Sequence, residues 1–451
     1  MRNKKKIAVL GALLAGGLLL LPAVQRIRQN REVVLEFSMF NGSNWEVAIQ
    51  DSYPVIDAAV ARFEAEHPGV RVHFASGILK EDYPEWLSRR MLADKTPDVM
   101  MILDSDFSTL SELGMLECLD QWMEGDQSFR KDAYYETALS SGRIRGMQYA
   151  LPMETVPTLM FVNKTLLNGA GIEMPREDYT FADFYDICRK ITKDTDGDGL
   201  NDQFGTYKYT WVDAAMANGV DLFSEDGQSC DFTSPELLEA IRFSKTLTEL
   251  NGGQKVTQET FDSGRVAFMP LNYAEYRTYK SYPYRIKKYS AFQWDCLLMP
   301  RGPSGDNVSI VDSLNVGICS RSRHKELAWE FLRLLTGDPE IQRKLYMSMP
   351  VASVLPEVTE TQPEAEMKTG TGAGPGGKTA SSGETEGKEA LIDGSFIGRI
   401  IAEGRTKPKF ASYQEAMELA DGEIQKLYDE ETDLDNAMRL IQRRVQKFIT
   451  R

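Results

Sequence analysis

The sequence predicts an α/β protein of two large lobes, and three observations carry that prediction. The chain from Val33 to Gly114 alternates strand-like and helix-like runs. Its 451 residues exceed what one compact core holds, because single cores stop growing at roughly 250–300 residues. The third is the stretch Ala150-Leu-Pro-Met-Glu-Thr-Val-Pro-Thr-Leu-Met-Phe-Val-Asn163, which reads as a stiff extended crossing between two bodies. Proline fixes φ, donates no N–H and pushes its predecessor towards extended geometry. Pro152 and Pro157 therefore exclude helix, and the apolar run Leu159 to Val162 reads as a buried strand.

Taken in order, Val33 to Phe40 reads as a strand followed by the turn Asn41-Gly-Ser-Asn44, with Trp45 at its far side. Apolar residues at Val55, Ile56, Ala59, Val60 and Phe63 have helical spacing, ended by His67-Pro-Gly69. Val70 to Phe74 alternates like a strand, a helix covers Tyr83 to Ala93, and Pro97 to Leu103 is a buried strand stopped by Asp104-Ser-Asp106. A further helix begins at Phe107. Strand and helix in this alternation mean a parallel sheet. Ligands of open α/β sheets bind beyond the carboxyl ends of the strands, which nominates Trp45 and Asp104. Asp104 reads equally well as a helix cap.

Beyond the crossing, a helix from Phe181 to Ile191 precedes Asp194-Thr-Asp-Gly-Asp-Gly-Leu-Asn-Asp202. Carboxylates at relative positions 1, 3, 5 and 9 (Asp194, Asp196, Asp198, Asp202), Gly199 at position 6 and Leu200 at position 7 have the spacing of a calcium loop. Position 12 is Gly205 where such a loop has a bidentate Glu. That leaves weak binding, a distant carboxylate completing the shell, or an acid-rich turn without metal. Ser234-Pro-Glu opens a helix to Leu250, and Phe261 to Met269 reads as a turn and a strand delivering Asn272 and Tyr273. Met299-Pro-Arg-Gly-Pro303 is a second candidate crossing, and His324 to Leu335 is an amphipathic helix. Residues 357–389 are too poor in apolar side chains to offset their chain entropy and read as a disordered insertion. Two helices, Tyr413 to Tyr428 and Leu434 to Phe448, close the chain.

A formal net charge of −15 argues against nucleic acid as a partner, since phosphate binding needs clustered Lys and Arg. Five scattered cysteines without a CxxC pair read as packing residues, not a disulfide frame or zinc site. Residues 1–31 read as a signal peptide or membrane anchor, with a basic Met1 to Lys6 followed by an apolar Ile7 to Val24. The positive flank keeps the N-terminus cytoplasmic and exports the rest. No Cys follows for lipid attachment, and Pro22-Ala-Val-Gln-Arg26 is a poor cleavage site, which favours an uncleaved anchor.

Several stretches in order carry a family likeness: Phe63-Glu-Ala-Glu-His-Pro-Gly-Val70, Pro97-Asp-Val with Leu113-Gly-Met-Leu116, Leu151-Pro with Val162-Asn-Lys-Thr-Leu166, Gly264-Arg-Val-Ala-Phe-Met269 and Ala328-Trp-Glu-Phe-Leu332. With these the chain resembles, from residue 33 onwards, the extracellular solute-binding proteins of ABC transporters, in their maltodextrin- and oligosaccharide-binding branch (family 1). The resemblance implies a type II periplasmic-binding-protein-like fold with lobes joined by three hinge crossings, at Pro152–Pro157, near Met299 to Pro303 and near Ser320. It divides the chain into an N-terminal lobe (32–153 plus 301–320) and a C-terminal lobe (154–300 plus 321–451, containing the insertion).

It further implies a monomer that captures an oligosaccharide between the lobes, performs no reaction, and hands the ligand to the transmembrane subunits of an importer. The implied ligand contacts are Trp45, Asp104, Glu154, Trp211, Asn272, Tyr273 and Tyr413. Such residues suit sugars, because aromatic rings pack on the C–H face and carboxylates accept from the hydroxyl rim. Domain closure around the ligand is the motion expected of this fold. Two alternatives stay open. One is a membrane-anchored ligand-sensing module. The other is a polysaccharide-acting enzyme, which needs a carboxylate pair such as Glu154 and Asp104; the sequence offers no nucleophile motif and only three histidines, His67, His73 and His324.

Overall fold

Strand pairing begins with β1 (Val33–Ser38), β2 (Val70–Phe74) and β3 (Val99–Ile102), which are parallel in the order β2–β1–β3, as the alternation predicts. The computed structural model describes residues 32–45, 47, 52–281, 292–361, 393–429 and 433–450. The N-terminal segment 1–31 and most of the insertion lie outside the described residues; at the insertion's start, Pro356–Thr359 is a helical turn. Helices α1 (Tyr53–Glu66), α2 (Tyr83–Leu92) and α3 (Asp104–Glu112) follow the first three strands in turn.

The crossing stretch is a single strand, β4 (Ala150–Asn163), and it joins two sheets into one continuous eight-stranded path. Its first half, Ala150 to Pro157, pairs antiparallel with β8 (Val311–Ile318), which in turn pairs with β3. Its second half, from Thr158, pairs with β6 (Val266–Asn272) and β7 (Trp294–Leu297), and β5 (Phe204–Thr206) adds parallel to β6. Pro152 is tolerated inside this ladder because the register shifts at a bulge between Leu314 and Asn315. Beside it, the Met153 carbonyl accepts from the buried Gln342 Nε2 at 2.9 Å.

The apolar residues form two large clusters. One surrounds β1, β3 and β8, and includes helices α8 (Lys325–Gly337) and α9 (Pro339–Ser348); the Phe331 ring meets Phe37 at 5.5 Å and Phe63 at 5.2 Å. The other lies on the outer side of the second sheet. It gathers α4 (Phe181–Ile191), α5 (Trp211–Ala217), α6 (Pro235–Glu249) and, at the end of the chain, α11 (Tyr413–Asp429) and α12 (Leu434–Ile449). Helix α7 (Tyr273–Ser281) follows β6, and α10 (Gly394–Glu403) packs its isoleucines with the first cluster.

This packing corrects two of the expected crossings and the assignment of residues 321–451 to one lobe. At Ser320 the chain is still on the first sheet's side: its N–H donates to Met115 O and its Oγ to Gly114 O. The described residues of 325–361 and 393–403 stay there, and the passage to the second cluster runs through 404–410. There Arg405 bridges to Ile310, Lys407 Nζ pairs with Asp312 Oδ2 at 2.9 Å, and Phe410 enters the second core. Met299 to Pro303 is likewise no crossing. Arg301 pairs with Thr180, and Gly302 and Gly305 pack so closely on Asn218 and Ala217 that a Cβ would fall 2.4 and 2.2 Å from their oxygens. The chain changes sheets at 309–312, where Ile310 O accepts from Thr158 N at 2.9 Å.

Candidate functional site

Three chain passages lie side by side, the crossing strand pairing with 309–312 and 309–312 with 404–410, and the charged side chains near them define the site. Glu154 lies in the first half of β4, a strand buried along nearly its whole length, and is 3% exposed. The loop after β1 folds back over it: Trp45 N–H bonds to Ser43 Oγ at 3.1 Å, and Lys80 Nζ holds Asn44 O at 2.6 Å. Trp45 remains partly exposed, and its Nε1 donates to Glu154 Oε1 at 2.8 Å across 109 residues of sequence. Burial pushes the Glu154 carboxyl up to about 7, with the Trp45 hydrogen bond pulling weakly the other way. A cavity of about 10 Å³ adjoins the carboxyl.

Asp104 is the first residue of α3, where a carboxylate is favoured by the helix N-terminus. It is exposed and forms an ion pair with Lys409 Nζ, so α3 is tied to the third passage. Next to it in that passage, Lys407 is buried, which disfavours its charge, but the carboxylate of Asp312 and, more distantly, that of Asp213 hold its ammonium above the ordinary lysine value. Tyr413 is half-buried at the start of α11, with Phe410 and Phe223 against its ring. The structure thus brings Trp45 and Glu154 into direct contact and places Asp104 and Tyr413 beside the third passage.

The remaining three candidates sit elsewhere. Trp211 is 1% exposed inside the second cluster, its Nε1 donating to Asp421 Oδ1 at 2.8 Å. Tyr273 is fully buried, stacked on Tyr276, with its hydroxyl 3.4 Å from that of Tyr346. Asn272 caps α7: its Oδ1 accepts from Glu275 N at 2.8 Å and its own N–H donates to Glu275 Oε2 at 2.9 Å. In this structure Trp211 and Tyr273 present no exposed ring face; an aromatic at an element's end serves the core as readily as a cleft. Sequence reasoning missed Lys407 and Lys409, whose signal was two lysines flanking Pro408 in an acidic chain, and Ser52 just ahead of α1.

In the acidic loop, Asp194, Asp196 and Asp202 converge, with one carboxylate oxygen of each within 4.8 Å of the others. Asp194 also accepts from the amides of Asp196, Gly197 and Gly199, which the positive φ of Gly197 (84°) and Gly199 (92°) makes accessible. Asp198 is not in this group and accepts from Leu200 N at 2.8 Å.

Comparison with known proteins follows the same line. Residues 58–371 match the family model described as bacterial extracellular solute-binding protein. A binding protein of Brucella abortus (strain 2308) is 24% identical over 301 residues, which cover 62% of this chain and 68% of that protein. Among solved structures, the cyclic α-maltosyl-1,6-maltose binding protein from Arthrobacter globiformis superimposes with a TM-score of 0.72 at 16% identity, covering 93% of this chain and 99% of that one. The sugar-binding protein MalE from Xanthomonas citri gives 0.71 at 16% identity, covering 92% and 97%. An ABC substrate-binding protein of Listeria monocytogenes in complex with cycloalternan gives 0.65 at 17% identity, covering 93% and 99%. At these identities the likeness establishes the two-lobed α/β fold.

Proposed function

The chain belongs to the bacterial extracellular solute-binding protein family, and from that premise we propose that it captures an oligosaccharide between its lobes and delivers it to the transmembrane subunits of an ABC importer. The observation that carries the sugar reading is the pair formed by Trp45 and Glu154 on the crossing strand. A partly exposed indole offers an apolar face to a sugar ring, and the adjoining carboxylate accepts from its hydroxyls. The cycloalternan complex of the Listeria protein and the Arthrobacter protein's description as a cyclic α-maltosyl-1,6-maltose binding protein support the same class of ligand. In this reading the protein works as a monomer outside the cytoplasm, held at the membrane by residues 1–31, and releases its ligand unchanged. Among the described residues, no helix is long and apolar enough to cross a membrane.

Isothermal titration against maltotriose, mannotriose, a cyclic maltosyl tetrasaccharide and trigalacturonate tests it. Micromolar binding, worth roughly −8 kcal/mol, is expected for at least one of them, with the sugar recovered intact. Trp45→Ala should weaken that binding about tenfold, or roughly 1.4 kcal/mol. Heat-silent titrations throughout would sink the proposal.

We propose in addition that the loop from Asp194 to Asp202 holds a structural calcium ion, with Asp194, Asp196 and Asp202 supplying carboxylate oxygens of the hard-cation type. Millimolar calcium should then raise the melting temperature of the protein and leave that of Asp194→Asn unchanged, because a ligand bound only by the folded state stabilises it by mass action. Identical melting with calcium and with chelator would remove calcium from the account.

A further inference from the structure

We infer that the cavity beside Glu154 is a specificity pocket for a single hydroxyl group of the bound saccharide, and that it admits neutral sugars while rejecting a carboxylate at that position. The inference rests on the sugar-binding reading above. The cavity measures about 10 Å³, room for one water-sized group. Its wall is apolar, with Phe40, Val55, Met101, Leu314 and Met349 among the lining residues, and among the described residues only Glu154 and Ser52 bring polar side chains to it.

Ser52 is the telling residue. It stands at the N-cap position of α1, where a serine hydroxyl ordinarily bonds back to the helix amides. Here the backbone of Ser52 is already helical (φ −81°, ψ −14°) and its side chain makes no cap. Its Oγ is buried, the residue being 5% exposed, and has no hydrogen-bond partner among the described residues. A buried hydroxyl left without a partner is uncommon in native proteins and marks a place where something polar belongs.

The chemistry of the pocket fixes what fits. Trp45 engages Glu154 Oε1 and leaves the carboxylate with further acceptor capacity. A ligand hydroxyl entering the cavity donates to Glu154 and accepts from Ser52 Oγ–H, so all three groups are satisfied at once. With no Lys, Arg or His among the described lining residues, a ligand carboxylate would bring a second anion against Glu154 in an apolar enclosure. The partly exposed indole next to the carboxyl places the sugar ring, and the ring's hydroxyl or hydroxymethyl group reaches inward.

The test titrates wild type, Ser52→Val and Ser52→Ala with maltotriose, mannotriose and trigalacturonate, and with the monodeoxy series of whichever neutral trisaccharide binds. Wild type should bind the neutral sugar at least 100-fold more tightly than trigalacturonate. Ser52→Val, which fills the cavity, should bind it about tenfold more weakly, and Ser52→Ala about threefold more weakly. One monodeoxy analogue should lose about tenfold on wild type and nothing further on Ser52→Val, a coupling that a merely structural serine does not produce. Unchanged affinity in both serine variants, or equal binding of trigalacturonate, overturns the pocket while sugar binding stands. If Ser52→Val fails to fold, Ser52→Ala and the deoxy series on wild type decide. Failure of every sugar to bind wild type overturns the sugar reading, and the pocket with it.

Discussion

Glu154→Gln should be more stable than wild type at pH 8 and a poorer binder. Glu154 is 3% exposed, and burial raises its carboxyl from an ordinary 4.5 to about 7. The folded state therefore holds this proton more tightly than the unfolded chain between those two values. Where the native state binds more protons, stability falls as pH rises. The contribution of Glu154 is thus most favourable below pH 4.5, declines through the window from 4.5 to 7, and stays at its least favourable above it. Integrated over the shift, the difference is about 3 kcal/mol, at roughly 1.36 kcal/mol per unit. Glutamine keeps the shape and removes the titration, so its advantage in chemical denaturation should be about 3 kcal/mol at pH 8 and vanish near pH 4.5. Charge-assisted hydrogen bonds are roughly twice as strong as neutral ones, so the same change should weaken a neutral oligosaccharide about tenfold. Gain of stability with loss of binding is the pattern of a group kept for function. Parallel pH profiles for the two proteins would mean that Glu154 is not the buried ionisable group it is taken for.

The sequence made the first sheet readable because its signals are local. Helical spacing from Val55 to Phe63, the stop at His67-Pro-Gly69 and the alternation at Val70 appear in the structure as α1 and β2 almost residue for residue. The crossing was readable from its prolines, although proline logic alone understates it: β4 continues through all 14 residues, with a register shift at Met153 beside Pro152 and with Pro157 at the point where the strand changes partners. What stayed hidden is non-local. The amphipathic pattern of α8 states that one face is buried but not against what, and its Phe331 packs on Phe37 and Phe63, far back in the chain. For the same reason the third passage could not be located from Ser320, and the residues that mark it, Lys407 and Lys409, acquire meaning only through Asp312 and Asp104. At the site, Trp45 and Glu154 were readable as separate candidates, one after a strand end and one between two prolines. Their hydrogen bond joins the two reasons. The burial of Trp211 and Tyr273 was not readable, because residue type and position do not say which side of a sheet a ring fills.

Arg277→Met should lower stability by about 3 kcal/mol, a large effect for a residue outside the site. Arg277 lies on α7, which follows β6, and is 7% exposed. Its Nη1 donates to Val351 O at 2.6 Å and its Nη2 to Tyr346 O at 2.7 Å, while the guanidinium lies 4.7 Å from the Tyr346 ring centre and 5.7 Å from that of Tyr273. Tyr346 is in the last turn of α9, so the cation also faces the negative end of that helix. Beside it, Ala352 pairs with Thr155 of the crossing strand. One side chain thus fastens the helix that leaves the second sheet to the end of a helix packed on the first, next to the point where the chain passes between them. Arginine suits this place because a planar fork reaches two carbonyls at once and keeps its charge when buried. Methionine matches the length but donates nothing, and each buried carbonyl left unpaired costs roughly 1–3 kcal/mol, partly recovered by relaxation. Lysine keeps the charge without the fork and should fall between the two. Urea denaturation of the three proteins gives the order directly. A methionine variant within about 0.5 kcal/mol of wild type, the range of an ordinary surface change, would mean that apolar packing alone holds this seam, and that the lobes turn about the crossing strand without Arg277 restraining them.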